Sequence, residues 1–182
     1  MQAFELGITV GRFQTLHNGH ADMIGKALEI CGKVGVLVGS SQESGTANNP
    51  FTYEMRESML RKVFGDSIMI CPLPDLGAGN NCKWGEYVIK NAVRNFGSIP
   101  DLLVSGKEDR RTGWFSGGKG LSVAELFIPK TVNISASEIR GFLISGDFES
   151  WKKFTPSPLW DLFDVQRETV LASASNKHTA SI

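Results

Sequence analysis

The chain has 182 residues, 41% of them hydrophobic and 21% charged, a composition that suits one globular domain with a real core. Nineteen basic residues balance nineteen acidic ones, which argues against a general binder of nucleic acid or membrane surface and leaves room for a local basic pocket. Three cysteines without metal-ligand spacing (Cys31, Cys71, Cys82), no apolar run of membrane length and no signal-peptide pattern predict a soluble cytoplasmic domain with reduced thiols.

From the amino terminus, FELGITV (4–10) reads as a strand and ADMIGKALEICG (21–32) as a helix closed by glycine. KVGVLVGS (33–40) is a second, buried strand. After a polar loop, TYEMRESMLRKVFG (52–65) gathers Met55, Met59, Leu60 and Val63 on one helical face, with Thr52 as its cap. SIMICPL (67–73) predicts a third strand, and WGEYVIKNAVRNFG (84–97) a helix again closed by glycine. DLLVSG (101–106) and VAELFIP (123–129) read as further strands. SEIRGFLISGDFESWKKF and PLWDLFDVQRETVL read as short helices packed on the domain. Residues 1–170 are assigned to that domain and 171–182 to a frayed polar tail.

Strands alternating with helices predict an α/β fold, a doubly wound parallel sheet with right-handed crossovers. In such sheets ligands bind beyond the carboxyl ends of the strands. Residues 11–20, 40–52, 72–84 and 105–118 all fall at that end.

The first of these, GRFQTLHNGH (11–20), carries the most chemistry. A strand, a glycine and then a helix starting near Asn18 or Gly19 put His17 and His20 at a helix amino terminus. Unpaired N–H groups and a partial positive charge make that end suited to phosphate. Imidazoles there donate hydrogen bonds to phosphoryl oxygens, and Gly19 lets a base or ribose approach the backbone. The plainer alternative, His17 capping the helix and His20 packing in its first turn, suits a lone histidine better than this pair. A two-histidine metal site lacks a third ligand at suitable spacing.

Far along the chain, NISASEIRGF contains Ile134-Ser135-Ala136-Ser137-Glu138-Ile139-Arg140. Ser135 and Ser137 can cap a helix whose N–H groups face phosphate. Arg140, one turn on, reaches the same anion with a charged fork. A serine-capped surface helix is the alternative.

His17-Asn18-Gly19-His20 resembles the HxGH signature of the nucleotidylyltransferase superfamily. The fuller string from Gly11, Arg12 and Phe13 to His17 is similar to the GRFQPFHxGH start of nicotinamide-mononucleotide (NMN) adenylyltransferases, with Thr15-Leu16 where Pro-Phe is usual. ISASEIR resembles the family's second signature, ISxTxIR, with Ser137 in place of threonine. GSSQESGTANNPFTYEMR (39–56) resembles a loop of the archaeal-type enzymes, matching at Asn49-Pro50-Phe51-Thr52 and Arg56; it covers ATP or merely leads into a helix. PDLGAGNNCKWGEYV (74–88) resembles an element that holds the nicotinamide nucleotide, with Asn81 and Trp84 in its N-x-x-W spacing. An indole face suits a pyridinium ring and an amide can pair with a carboxamide, although a helix-opening tryptophan also serves a core. Gly113–Lys119 fits GxxxxGK, but Gly120 stands where a P-loop needs Ser or Thr, so it reads as a loop. Lys107, Arg110 and Arg111 read as solvated charges beside it.

The resemblance implies a Rossmann-like adenylyltransferase, archaeal-type, that makes NAD and pyrophosphate from ATP and NMN. His17, His20 and Arg140 would be catalytic. Gly11, Arg12, Phe13, Gly19, Ser135, Ala136 and Ser137 would bind ATP, and Asn81 and Trp84 NMN. Mg²⁺ would be carried mainly by the ATP phosphates, with neither Asp22 nor Glu138 assigned to it. Homo-oligomers are common in the family, and neither nucleic acid nor membrane is an expected partner. The rival readings are a nicotinate mononucleotide, phosphopantetheine or phosphosugar acceptor, and a nucleotide sensor without turnover.

Overall fold

The computed structural model of the chain describes residues 2–77, 81–106, 123–129 and 132–175, apart from the side chains of Asn81 and Cys82. Five strands alternate with helices: β1 (Phe4–Gly11), α1 (Asn18–Ile30), β2 (Cys31–Gly39), α2 (Tyr53–Phe64), β3 (Met69–Leu73), α3 (Asn81–Phe96), β4 (Leu102–Ser105) and β5 (Ala124–Phe127). Three helices follow, α4 (Ala136–Ser145), α5 (Phe148–Phe154) and α6 (Phe163–Ser175), with a 3₁₀ turn at Ser157–Leu162.

The strands form one parallel sheet in the order β3-β2-β1-β4-β5. Side chains alternate across it. Val34, Val36, Val38, Leu102 and Val104 face a core with Ile24, Ala27 and Leu60 of α1 and α2 and with Ile139, Leu143, Trp151 and Val170 of the carboxyl-terminal helices. Leu6, Ile8, Leu37, Cys71, Leu73 and Leu103 point the other way, onto Val88, Ala92 and Phe96 of α3. Gly35 makes that second contact possible, because a Cβ there would stand 2.3 Å from the Phe96 ring.

Caps and stops follow the sequence in most places. Thr52 accepts from the Met55 N–H at 3.3 Å, and Gly65 and Gly97 close α2 and α3 at positive φ. The exception is α1, which ends at Ile30 and passes straight into β2 at Cys31. Pairing of Cys31 with Phe4 draws the backbone into the sheet, so Gly32 is a strand glycine and not a helix stop. Its missing side chain avoids the Glu5 carbonyl oxygen, 3.2 Å from where a Cβ would sit. At the other end, α6 runs through Ser175 with Val170 and Ser173 buried, so ordered helix continues past residue 170, where the sequence suggested a tail.

No helix among the described residues is long and apolar enough to cross a membrane. Lys107, Arg110, Arg111, the GxxxxGK-like stretch and residues 176–182 lie outside the described residues.

Candidate functional site

β1 ends at Gly11, and the turn that follows is shaped around one aromatic ring. Phe13 sits at φ 51, in the left-handed region, and is buried with its ring folded back over Gly11. A Cβ at position 11 would lie 2.9 Å from Phe13 Cζ, so only glycine fits beneath it. The ring meets His20 edge-on, with centroids 4.9 Å apart. His20 in turn stacks on His17 at 3.8 Å and 25°.

α1 begins where the sequence places it, at Asn18. His17 takes the N-cap position without a side-chain cap; its carbonyl accepts from the N–H groups of His20 and Ala21 at 2.9 and 3.0 Å. Its imidazole turns instead over Gly19, where a Cβ would come within 3.2 Å of the ring. The missing side chain of Gly19 thus makes room for the His17 ring, and its backbone lines the cavity described below.

The second signature opens α4. Ser135 and Glu138 form a complete capping box: the Ser135 hydroxyl accepts from the Glu138 N–H, and the Glu138 carboxylate accepts from the Ser135 N–H at 2.9 Å. One turn further, Arg140 donates to the Gln14 carbonyl and, at 3.1 Å, to Ser137 Oγ. Burial lowers its pKa from the ordinary guanidinium range, and the nearby Arg12 cation lowers it further. Two cations brought together at the price of desolvation suit an anion that would lie between them.

Both signatures meet in one cavity of about 380 Å³. Gly11, Arg12, Phe13, Gln14, His17, Gly19, His20 and Asp22 line one side, and Ser135, Ala136, Ser137 and Arg140 the other. Val10, Met23, Ile128, Pro129, Val132 and Ile134 add an apolar wall, with Ser105 and Gly106 at the end of β4. The cavity lies beyond the carboxyl ends of β1 and β4, neighbours at which the strand order reverses. That is where open α/β sheets bind ligands.

The 40–52 loop is fastened to the first motif. The Gln14 amide grips Phe51 from both sides, donating to its carbonyl at 3.0 Å and accepting from its N–H at 2.9 Å. Arg12 donates to Asn49 Oδ1 at 3.4 Å, and Asn49 donates to Glu43. Arg56 is wholly buried and donates to the carbonyls of Arg12, Gly39, Ser40 and Thr52 at 2.8 to 3.1 Å. Burial lowers its pKa too. Gln14 and Arg56 are thus the framework of the site, and the motif strings that contain them were the signal for both.

Trp84 stands apart from this cavity. It is half-buried in the first turn of α3, beside Tyr87 at 5.6 Å and against the Leu37–Leu73 core. Asn81 opens the same helix, and its side chain lies outside the described part.

The cytidylyltransferase-like family matches residues 8–75, which span the first signature, the 40–52 loop and Arg56. A nicotinamide-nucleotide adenylyltransferase of Pyrococcus furiosus is 31% identical over 178 residues, covering 92% of this chain and 89% of that one. The chain belongs to the nicotinamide-nucleotide adenylyltransferase family. The adenylyltransferase of Saccharolobus solfataricus is 42% identical over 88 residues, which are 45% of this chain and half of that protein. The fold extends to a solved bifunctional NMN adenylyltransferase/ADP ribose pyrophosphatase of Francisella tularensis, with a TM-score of 0.71 at 20% identity. That likeness covers 96% of this chain and 54% of the Francisella chain.

Proposed function

We propose that this site transfers an adenylyl group from ATP to NMN, giving NAD and pyrophosphate. The observation that carries the reading is the convergence of His17, His20, Arg12 and Arg140 on one cavity, with Arg140 anchored to Gln14 across 126 residues of sequence. Family membership supplies the acceptor.

No side-chain nucleophile is needed. The NMN phosphate attacks the α-phosphorus in line, the bond to the β-phosphate oxygen breaks, and pyrophosphate leaves with the electron pair. The protein then contributes position and charge. His17 and His20 donate to phosphoryl oxygens where negative charge builds. Arg140 has N–H groups beyond the two that hold it to Gln14 and Ser137, and these receive the β- and γ-phosphates with Arg12. The N–H groups at the start of α4 add a partial positive charge beside Ser137. The N-x-x-W spacing of Asn81 and Trp84, at the start of α3 and outside the cavity lining, supports assigning these two residues to the nicotinamide end of NMN.

Mg²⁺ enters this scheme on the triphosphate. The cavity wall carries hard oxygens in Asp22 and Ser105, neither of them assigned as a ligand, and would suit an ion held mainly by phosphate oxygens and water. When bound it neutralises phosphate charge. Buried, unpaired Cys31 and Cys71 suit a reducing compartment such as the cytoplasm.

The test is pyrophosphate release from ATP and Mg²⁺, with NMN and nicotinate mononucleotide offered separately. Release with NMN, together with NAD, is expected. Release only with the nicotinate form keeps the chemistry and overturns the acceptor. No release with either acceptor overturns the proposed transfer.

A further inference from the structure

One buried hydrogen bond in the molecule returns little stability for what it costs. The Thr15 hydroxyl, wholly buried, donates to Gln166 Oε1 of α6 at 2.9 Å across 151 residues of sequence, with Met59 Sδ at 3.4 Å. Gln166 is 2% exposed, and its Nε2 is buried without a hydrogen-bond partner among the described residues. A neutral hydrogen bond contributes less, net, than a buried unpaired amide donor costs. Replacing both partners by apolar groups of the same shape is therefore neutral or stabilising. The pair is better explained by where it holds the chain.

Thr15 stands between two groups on which the cavity depends. Gln14 seats Arg140 with its carbonyl and grips Phe51 with its amide. His17 follows two residues later, at the head of α1. α6 also packs on α4, which carries Ser137 and Arg140. Neither Thr15 nor Gln166 lines the cavity.

We propose that Thr15 and Gln166 are positioning residues. Through their bond, α6 fixes the 13–17 turn against α4, so that His17 and Arg140 address one phosphate chain. The inference rests on the reading of the cavity as a triphosphate site.

The test compares Thr15→Val/Gln166→Leu with the parent and with Thr15→Ser, which keeps the hydroxyl. ATP affinity is measured by calorimetric titration without acceptor, alongside KM for each substrate, kcat and the thermal midpoint. The double variant is expected to keep or raise the midpoint, bind ATP about tenfold more weakly and lose up to about a hundredfold in kcat, as misplaced groups do. KM for NMN should not change, and Thr15→Ser should match the parent. Parent-like ATP affinity and kcat in the double variant overturn the proposal. So does a loss that Thr15→Ser shares in full. If the double variant does not fold, Gln166→Met carries the same reading, and normal ATP affinity there overturns it. Because titration needs no acceptor, a wrong acceptor leaves this result standing, whereas a parent that binds no ATP contradicts the triphosphate reading itself.

Discussion

His20 sits at the centre of a short chain of contacts: Gly11 makes room for Phe13, Phe13 backs His20, and His20 stacks on His17 over Gly19. The residue types were legible in GRFQTLHNGH, because a strand, a glycine and paired histidines at a helix start have few other uses. The order of contacts was not, since ring stacking depends on the left-handed Phe13 backbone. His20→Ala should lower kcat by about 10²–10³, the loss of one preorganised donor, and leave the thermal midpoint near the parent's. Equal kcat in variant and parent would remove His20 from the chemistry. Trp84 is the harder residue, because an indole in the first turn of a helix serves a core or a ligand equally well. Its half-buried ring has contacts with the sheet and an accessible remainder. Trp84→Ala should raise KM for NMN about tenfold, the loss of a desolvated cation–π contact, with KM for ATP unchanged. Parallel rises in both constants would mean that the indole serves the fold alone.

At the scale of elements, the carboxyl ends of β1 and β2 and the start of α2 are held by a single side chain. The Arg56 guanidinium spreads its donors over four carbonyls from three segments. In the sequence it was one matched position in a loop that read equally as an ATP cover or a turn before a helix. The burial that gives Arg56 this bracing role is a tertiary property, and no local pattern encodes it. Arg56→Met removes the side-chain donor from the Arg12 and Gly39 carbonyls, while those of Ser40 and Thr52 keep the backbone N–H groups of Glu43 and residue 56, and should cost about 3 kcal/mol in denaturant unfolding. Arg56→Lys should recover little, because one ammonium cannot span the spread that a planar fork reaches. A loss below about 1 kcal/mol in Arg56→Met would show that water satisfies the carbonyls instead. The α1–β2 junction teaches the same lesson. Cys31 and Gly32 look like a helix end until Phe4 pairs with Cys31, and pairing partners are invisible within a window of a few residues.

For the whole molecule, alternating periodicity was enough to predict a parallel α/β sheet and the end at which its cavity opens. It did not give the strand order, which depends on crossovers between β1 and β4, distant in sequence and adjacent in the sheet. Nor did it show that the carboxyl-terminal helices complete the core on the α1 side. That closed packing has a consequence for stability in alkali. Cys71 lies in β3 beneath α3, and burial pushes its thiol from 9.0 up to about 11. Burial raises Cys31, with Asp101 adding to the effect, and raises Tyr53, with Glu57 adding. An acid whose pKa is higher folded than unfolded holds its proton more tightly in the native state, so the unfolded chain ionises first. Below about pH 9 both states are protonated and the contribution is intact. It is lost as the pH climbs towards the folded value near 11. The thermal midpoint should therefore fall steadily between pH 9 and 11 in the parent. Cys71→Ala will start lower, because it leaves a small cavity, but should fall less steeply over the same window. Cys31 and Tyr53 contribute to the residual slope in that variant. Parallel slopes in parent and variant would mean that the Cys71 thiol ionises as readily in the folded protein as in the unfolded chain, and that α3 does not seal β3 from water.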